Sequence, residues 1–276
     1  MEKIKIEKGT VQETLLIPLY GRKYAMDLYP DLFMDNDCQA LFDRIDFTVP
    51  DNMKGMLGNI GCIMGATRQY DMASACRAYL KAHPNACVVN LGCGLDTTFH
   101  QVDNGKAKGY NLDFPDTIAI RNELLGNHER EFNIACDLND ISWFYQIDFH
   151  PEDGIVFFAS GVFYYFKKTD MEKLFTAMAE HFTGGKLVFD ATKKKGLKSM
   201  LKTWLMGFEM KDINVYFSVD DVHTLKEWSG HISSAVSNPY LTGYRPLDKR
   251  YGFITNIVFR YLDRSKMCQI IELEFD

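Results

Sequence analysis

The stretch "VVNLGCGLDTTFHQVDNG", residues 88–105, decides the fold. A β-branched apolar run, "ACVVNL" (86–91), stops at Gly92-Cys93-Gly94. Short apolar runs bounded by turn residues read as buried strands. The pattern recurs downstream in "AKGYNLD", "REFNIACD", "GIVFFAS" and "GGKLVFDAT". Between them lie two helical segments. "PDTIAIRNELLG" has Pro at its start and Gly past its end, and "KTDMEKLFTAMAEHF" puts Met171, Leu174, Phe175, Met178 and Phe182 on one side. Strands alternating with helices predict an α/β fold with a Rossmann-like, mostly parallel, doubly wound sheet.

Upstream, residues 1–82 read as helical: "TVQETLLIPLYGRKYAMDLYP", "DCQALFDRI" and "MLGNIGCIMGATRQYDMASACRAYLKA" carry apolar residues at helical spacing. The expected organisation is a helical lid region over 1–82 and a core over 83–276 that ends in substrate-side elements. Late in the chain, "INVYFSV", "FITNIVFRYL" and "IIELEF" read as strands, the last two as an antiparallel edge hairpin. Lys193-Lys194-Lys195 reads as a solvated loop or helix start.

The 276 residues carry a formal charge of -6, so the chain as a whole has no attraction for nucleic acid or an anionic membrane. The opening "MEKIKIEKGT" is charged and unlike a secretory signal, and no long apolar run suits a membrane helix. A cytoplasmic location is expected. Seven cysteines, an odd number with no C-x-x-C pair, read as reduced and mostly buried thiols. Neither H-E-x-x-H nor an i, i+4 histidine pair occurs, so no metal site is expected.

Five constellations carry chemistry. Gly92-Cys93-Gly94 follows the first strand of the sheet, where α/β folds bind ligands and where glycine lets a ligand approach the backbone. It also suits a plain tight turn. A dinucleotide fingerprint needs a third glycine, and Thr97 stands there, which counts against a nicotinamide cofactor. Asp113, in "YNLDFPD", ends the second strand at the spacing of an acid that accepts from ribose hydroxyls, or caps the following helix. Asp137 and Leu138, in "ACDLND", suit an adenine amino group and ring face, or a simple turn. "FFASGVFYYF" sets Ser160 and Gly161 before an aromatic run that walls a pocket or packs in the core. Arg68, in "GATRQYD", is a carboxylate clamp or a surface arginine.

The block "HPNACVVNLGCGLDTTFHQVDNGKAKGYNLDFPDTIAIRNELL" resembles the leucine carboxyl methyltransferase family. The resemblance extends back through "TLLIPLYGRKYAM", "MDNDCQALFDRIDF" and "ATRQYD", and forward through "ACDLND" and "ASGVFYYF". It implies S-adenosylmethionine as cofactor on a Rossmann-like sheet beneath a helical lid. It further implies that Arg68 grips the cofactor carboxylate and that Gly92 and Gly94, with Cys93 between them, line the methionine part. Asp113, with Phe114 beside it, would hold the ribose, and Asp137 and Leu138 would frame the adenine. Residues 159 to 165, from Ala159 and Ser160 to Tyr165, would lie under the sulfonium and the substrate. Two positions depart from the family: Thr98 where Arg is usual, and Ser160 where Glu is usual.

The expected activity is methyl transfer to a carboxylate or hydroxyl of a small-molecule or peptide acceptor, with S-adenosylhomocysteine as product. The protein mainly supplies proximity and orientation. Tyr165 is the nearest candidate for orienting the substrate. Two alternatives stand beside this reading: a non-catalytic S-adenosylmethionine-binding regulator and a nicotinamide oxidoreductase.

Overall fold

The computed structural model describes residues 3–5, 11–33, 35–46, 55–126, 128–200 and 214–276. The chain opens with β1 (Ile4–Lys5), α1 (Val11–Leu28), α2 (Asn36–Arg44), β2 (Ile45–Asp46) and α3 (Gly55–Ala82). The sheet region follows as β3 (Cys87–Leu91), α4 (Thr98–Val102), β4 (Lys108–Asp113), α5 (Pro115–Leu125), β5 (Glu131–Ala135) and β6 (Ile155–Ala159). It continues as α6 (Lys168–His181), β7 (Lys186–Thr192), α7 (Lys194–Met200), α8 (His223–Lys226), β8 (Ile232–Pro239), α9 (Phe253–Ser265) and β9 (Cys268–Phe275).

Among the described residues β1 and β2 form a separate two-stranded sheet. The other strands form one sheet in the order β5-β4-β3-β6-β7-β9-β8. β3 to β7 are parallel, and β9 runs antiparallel to both β7 and β8. The chain enters at β3, winds outward to β5, then returns to lay β6 on the other side of β3. That reversal is a topological switch point, and the carboxyl ends of β3 and β6 flank the crevice it opens.

Side chains alternate across the sheet. Val89 and Leu91 of β3 face the layer containing Trp143 and the apolar stripe of α6, while Val88 faces α3. In the first layer Phe182 is fully buried among the rings of Trp143, Phe144, Phe149 and Phe157. On the α3 side the strands bury polar residues as well: Asn90, Asn111 and Asp190. β4 has Gly109 on that side because a Cβ there would lie 2.6 Å from the Phe99 ring of α4. The N-terminal helices meet the core at the end of β3. Leu16 and Leu19 of α1 and Cys38 and Leu41 of α2 share a cluster with Leu95, in the turn after β3, and Leu124 of α5.

The C-terminal third corrects two expectations. "FITNIVFRYL" is helix α9, not a strand: Thr255, Val258, Phe259 and Leu262 point inward at helical spacing, and Lys266 ends the helix in the left-handed region at φ 50. Its β-branched content favours a strand, but packing overrides propensity. "INVYFSV" forms no strand over 214–219, and Ile213 lies outside the described residues. Tyr216 and Phe217 instead donate backbone N–H groups to the Tyr164 carbonyl, which lies outside any strand. The partner of β9 is β8, "ISSAVSNP", whose polar, serine-rich sequence hid it. Among the described residues no helix is long and apolar enough to cross a membrane. All seven cysteines are free, and burial pushes the Cys38 thiol up to about 12.

Candidate active site

Four neighbouring strands, β5, β4, β3 and β6, end side by side. Pairing continues past the strand ends: the N–H groups of Gly92 and Cys93 both donate to the Leu112 carbonyl, at 2.8 and 3.0 Å, and Cys136 N–H donates to the Asp113 carbonyl at 2.9 Å. Gly92 and Gly94 take φ values of 67 and 48, in the region that favours glycine. Val162 packs 2.5 Å from where a Cβ on residue 92 would stand, and Leu15 packs 3.0 Å from one on residue 94. Both glycines therefore serve close packing as well as backbone shape. Cys93 between them is buried, and burial raises its thiol pKa.

Asp113 sits against this turn. Its Oδ2 accepts from Gly94 N–H at 2.8 Å and its Oδ1 from Phe114 N–H at 2.8 Å. The Thr117 side chain also hydrogen-bonds to this carboxylate, which still keeps acceptor capacity. Burial raises the carboxyl pKa, against the lowering effect of those two N–H groups. Phe114 is half exposed beside it. At the end of β5, Leu138 is buried, while Asp137 Oδ1 accepts from the Asn139 backbone and side-chain amides at 2.9 and 3.0 Å. The plain turn is thus what the Asp137 carboxylate makes in this structure. Ala159 ends β6 opposite Leu91, Ser160 is half-buried, and Tyr165 is 39% exposed with its phenol pKa raised by burial.

Arg68 joins these residues from α3, a different layer. Its Nη1 donates to Asp190 Oδ2 at 2.9 Å, and its guanidinium packs against the turn after β6, 2.9 Å from where a Cβ on Gly161 would stand. Gly161 has φ 77, so backbone and neighbour both require glycine there. Burial opposes the Arg68 charge, and the Asp190 carboxylate, together with Tyr240 and Tyr164, more than restores it. Arg68 Nε is buried with no hydrogen-bond partner.

Several residues that hold the site were not singled out from the sequence. Arg121 of α5, fully buried, donates through Nη1 to the carbonyls of Gly94 and Asp96 at 3.1 and 2.6 Å, and through Nη2 to Glu131 at 2.9 Å. Arg22 of α1 donates to the Leu95 carbonyl at 3.0 Å and to Asp35 at 3.2 Å. Two buried arginines thus take three successive carbonyls of the turn after β3. Thr97, at the third-glycine position, donates its hydroxyl to Asp35, with the two oxygens 3.0 and 3.1 Å away. Thr98 N–H donates to Asp96 Oδ1 at 2.8 Å, which starts α4. The signal in the sequence was a lone arginine or acid inside an apolar run, as in "IAIRNELL" and "LVFDAT".

A second charged group lies behind the same turn. His100 of α4 places Nδ1 2.6 Å from Asp37 of α2 and Nε2 2.7 Å from Glu131 of β5. With carboxylates on both sides, both ring nitrogens must donate, which makes the ring an imidazolium. Its pKa rises to about 9, chiefly through the Glu131 hydrogen bond. Burial pushes the Glu131 carboxyl up, but His100 and Arg121 bring it down to about 2. His128 packs edge-on to His100 with ring centroids 4.4 Å apart, so His100, His128 and Glu131 bring three donor atoms within 4.8 Å of one another.

The sequence profile of the leucine carboxyl methyltransferase family matches residues 39–179. The tetracenomycin polyketide synthesis O-methyltransferase TcmP of Streptomyces glaucescens is 23% identical over 251 residues, which cover 88% of this chain and 89% of that protein. Among solved structures, a candidate methyltransferase of Thermobifida fusca YX is similar at TM-score 0.65 and 13% identity, over 98% of this chain and 96% of that one. A DUF574 family protein of Streptomyces avermitilis is similar at TM-score 0.60 and 9% identity, over 79% of this chain and 86% of that one. These likenesses show the α/β fold with its antiparallel C-terminal strands. With more than half the chain matched by the family profile, this protein belongs to the leucine carboxyl methyltransferase family and is an S-adenosylmethionine-dependent methyltransferase.

Proposed function

We propose that this methyltransferase acts on the carboxylate of a small-molecule acceptor, with its cofactor bound across the ends of β5, β4, β3 and β6. The observation that carries the cofactor reading is one contiguous set. Asp113 touches the Gly94 backbone, Val162 touches Gly92, and Arg68 lies on Gly161. The residues suit an S-adenosyl group. Asp113 has acceptor capacity left for a hydroxyl, Leu138 and Phe114 offer apolar surface for a ring, and Arg68 Nε is a buried donor with no partner. When bound, the cofactor supplies an already activated methyl group.

The chain's own work is then binding, orientation and exclusion of water. Arg68 holds a carboxylate, Gly92, Cys93 and Gly94 offer backbone, and Asp113 fixes the ribose. Asp137 and Leu138 take the adenine side, and Ala159, Ser160 and Tyr165 face the acceptor. α1 to α3 act as the lid. The ionisable groups at the end of β6 favour a carboxylate acceptor over a hydroxyl. Burial raises the phenol pKa of both Tyr164 and Tyr165, and Asp190 is spent on three donors. Among the described residues none of these is a general base at neutral pH. A carboxylate is already ionised and needs no base, whereas a hydroxyl benefits from one.

The test is release of S-adenosylhomocysteine across matched acceptors that differ only in bearing a carboxylate, a phenol or an alcohol. The proposal expects turnover with carboxylates and little with the others. Faster turnover of phenols would reassign the acceptor. Cofactor binding without turnover of any acceptor would favour the regulatory reading, for which Ser160 in place of the family's Glu is the motivating observation.

A further inference from the structure

Asp190 is the buried acid of "LVFDAT" in β7, with a side chain only 2% exposed. Strand alternation turns it to the α3 side of the sheet, like Val188 two residues before. There it collects donors from three parts of the chain. Oδ1 accepts from Gly161 N–H at 2.6 Å. Oδ2 accepts from Arg68 Nη1 at 2.9 Å and from the Tyr164 hydroxyl at 3.0 Å. Among the described residues this is the one hydrogen bond Arg68 makes, and Nε stays buried and unpaired. The guanidinium is therefore held at Nη1 and has an unpartnered donor at Nε. A guanidinium reads a carboxylate best through two parallel N–H donors, so an arginine pinned by one nitrogen is prepared for a second, incoming carboxylate. The same Asp190 oxygen that receives Gly161 N–H sets the turn that carries Val162 onto Gly92.

We propose that Asp190 is the positioning residue for the amino-acid end of the cofactor: it orients Arg68 by holding Nη1, and holds the Gly161 turn beneath it. This rests on the assignment of Arg68 to the cofactor carboxylate made above. Asp190 is 2% exposed and already accepts from three protein donors, so it acts behind Arg68 rather than on the cofactor itself. Its effect passes through Arg68, and it concerns ligands that bear the carboxylate. Ligands that share only the adenosine half do not depend on it.

Two probes separate these halves: S-adenosylhomocysteine, which has the amino-acid end, and 5′-methylthioadenosine, which lacks it. Calorimetry with wild type, Asp190→Asn, Arg68→Ala and the double variant is expected to show the following. Asp190→Asn and Arg68→Ala each weaken S-adenosylhomocysteine by about tenfold or more, the loss of roughly one charge-assisted hydrogen bond. Both leave 5′-methylthioadenosine within about twofold of wild type, which also shows that the adenosine site is folded. In the Arg68→Ala background, Asp190→Asn adds less than about twofold, the non-additivity of residues that act as one unit. Additive effects, or equal loss of both ligands, would overturn the proposal in favour of a general structural role. Unchanged S-adenosylhomocysteine affinity in Asp190→Asn would overturn it too. If Asp190→Asn does not fold, Asp190→Glu decides: restored S-adenosylhomocysteine binding supports the proposal, and selective loss of 5′-methylthioadenosine contradicts it. A wild-type protein that binds neither ligand would sink the cofactor assignment itself, a result distinct from all of these.

Discussion

The two glycine turns that face each other across the switch point are held by different means. The turn after β3 is gripped from two sides: Arg121 and Arg22 donate to the carbonyls of residues 94, 95 and 96, and Asp35 and Asp96 tie its far end. The turn after β6 hangs on one carboxylate, Asp190. A turn held by many buried partners is part of the protein's stability, and losing one partner leaves charges and carbonyls unpaired in the interior. A turn held by one charge contributes less to stability and more to ligand alignment. Variants at the first turn should therefore read out mainly in unfolding, and those at the second mainly in binding.

The largest break of this contrast is Arg121→Met. It removes one of the two cations paired with Glu131 and takes the Arg121 donor from two buried backbone carbonyls, and is expected to cost about 3–5 kcal/mol in urea unfolding, with a smaller effect on cofactor affinity. A loss under about 1 kcal/mol would show that the turn after β3 is not held as described.

The next effect is in pH. The His100 pKa is raised from 6.5 to about 9, so the protonated ring stabilises the fold fully below pH 6.5 and that contribution is lost as pH rises toward 9. Glu131 is lowered from 4.5 to about 2, so its contribution is present above pH 4.5 and is lost as pH falls toward 2. His100→Gln is expected to remove about 2 kcal/mol at neutral pH, allowing for partial solvent screening, and to flatten the alkaline decline. Thermal melts from pH 6 to 10 check this, and an unchanged alkaline slope in the variant would refute it.

Asp71 of α3 is the counterpart among the N-terminal helices. It is buried, neither oxygen has a hydrogen-bond partner, and burial raises its pKa from 3.8 to about 8. A raised carboxyl favours folding at low pH, and that advantage is lost as pH rises through 8. Asp71→Asn is expected to melt higher than wild type at pH 8.5, by about 1–2 kcal/mol, and to separate this contribution from that of His100. The smallest effect is expected at Tyr165→Phe. If the tyrosine only orients the acceptor, kcat falls by less than about tenfold, because no proton transfer is lost with the hydroxyl.

The contrast between the turns also marks how far the sequence could be read. The parallel strands were legible because each is a short apolar run closed by turn residues, and the glycines and Asp113 because their spacing has a chemical meaning. β8 and α9 were not, since serine-rich strands and β-branched helices are decided by what they pack on. Arg68 and Asp190 are 122 positions apart and meet only because α3 lies across β7. No local spacing encodes such a pair. The same holds for Arg22, Asp35 and Thr97, whose network explains why Thr stands where a dinucleotide motif needs Gly.

The measurement that bears most directly on the whole account is a structure of the protein with S-adenosylhomocysteine bound. Ribose hydroxyls are expected on Asp113 and the ligand carboxylate on Arg68, with Arg68 still held by Asp190 through Nη1. A ligand carboxylate placed away from Arg68, or an Arg68 that abandons Asp190 to reach it, would contradict the account.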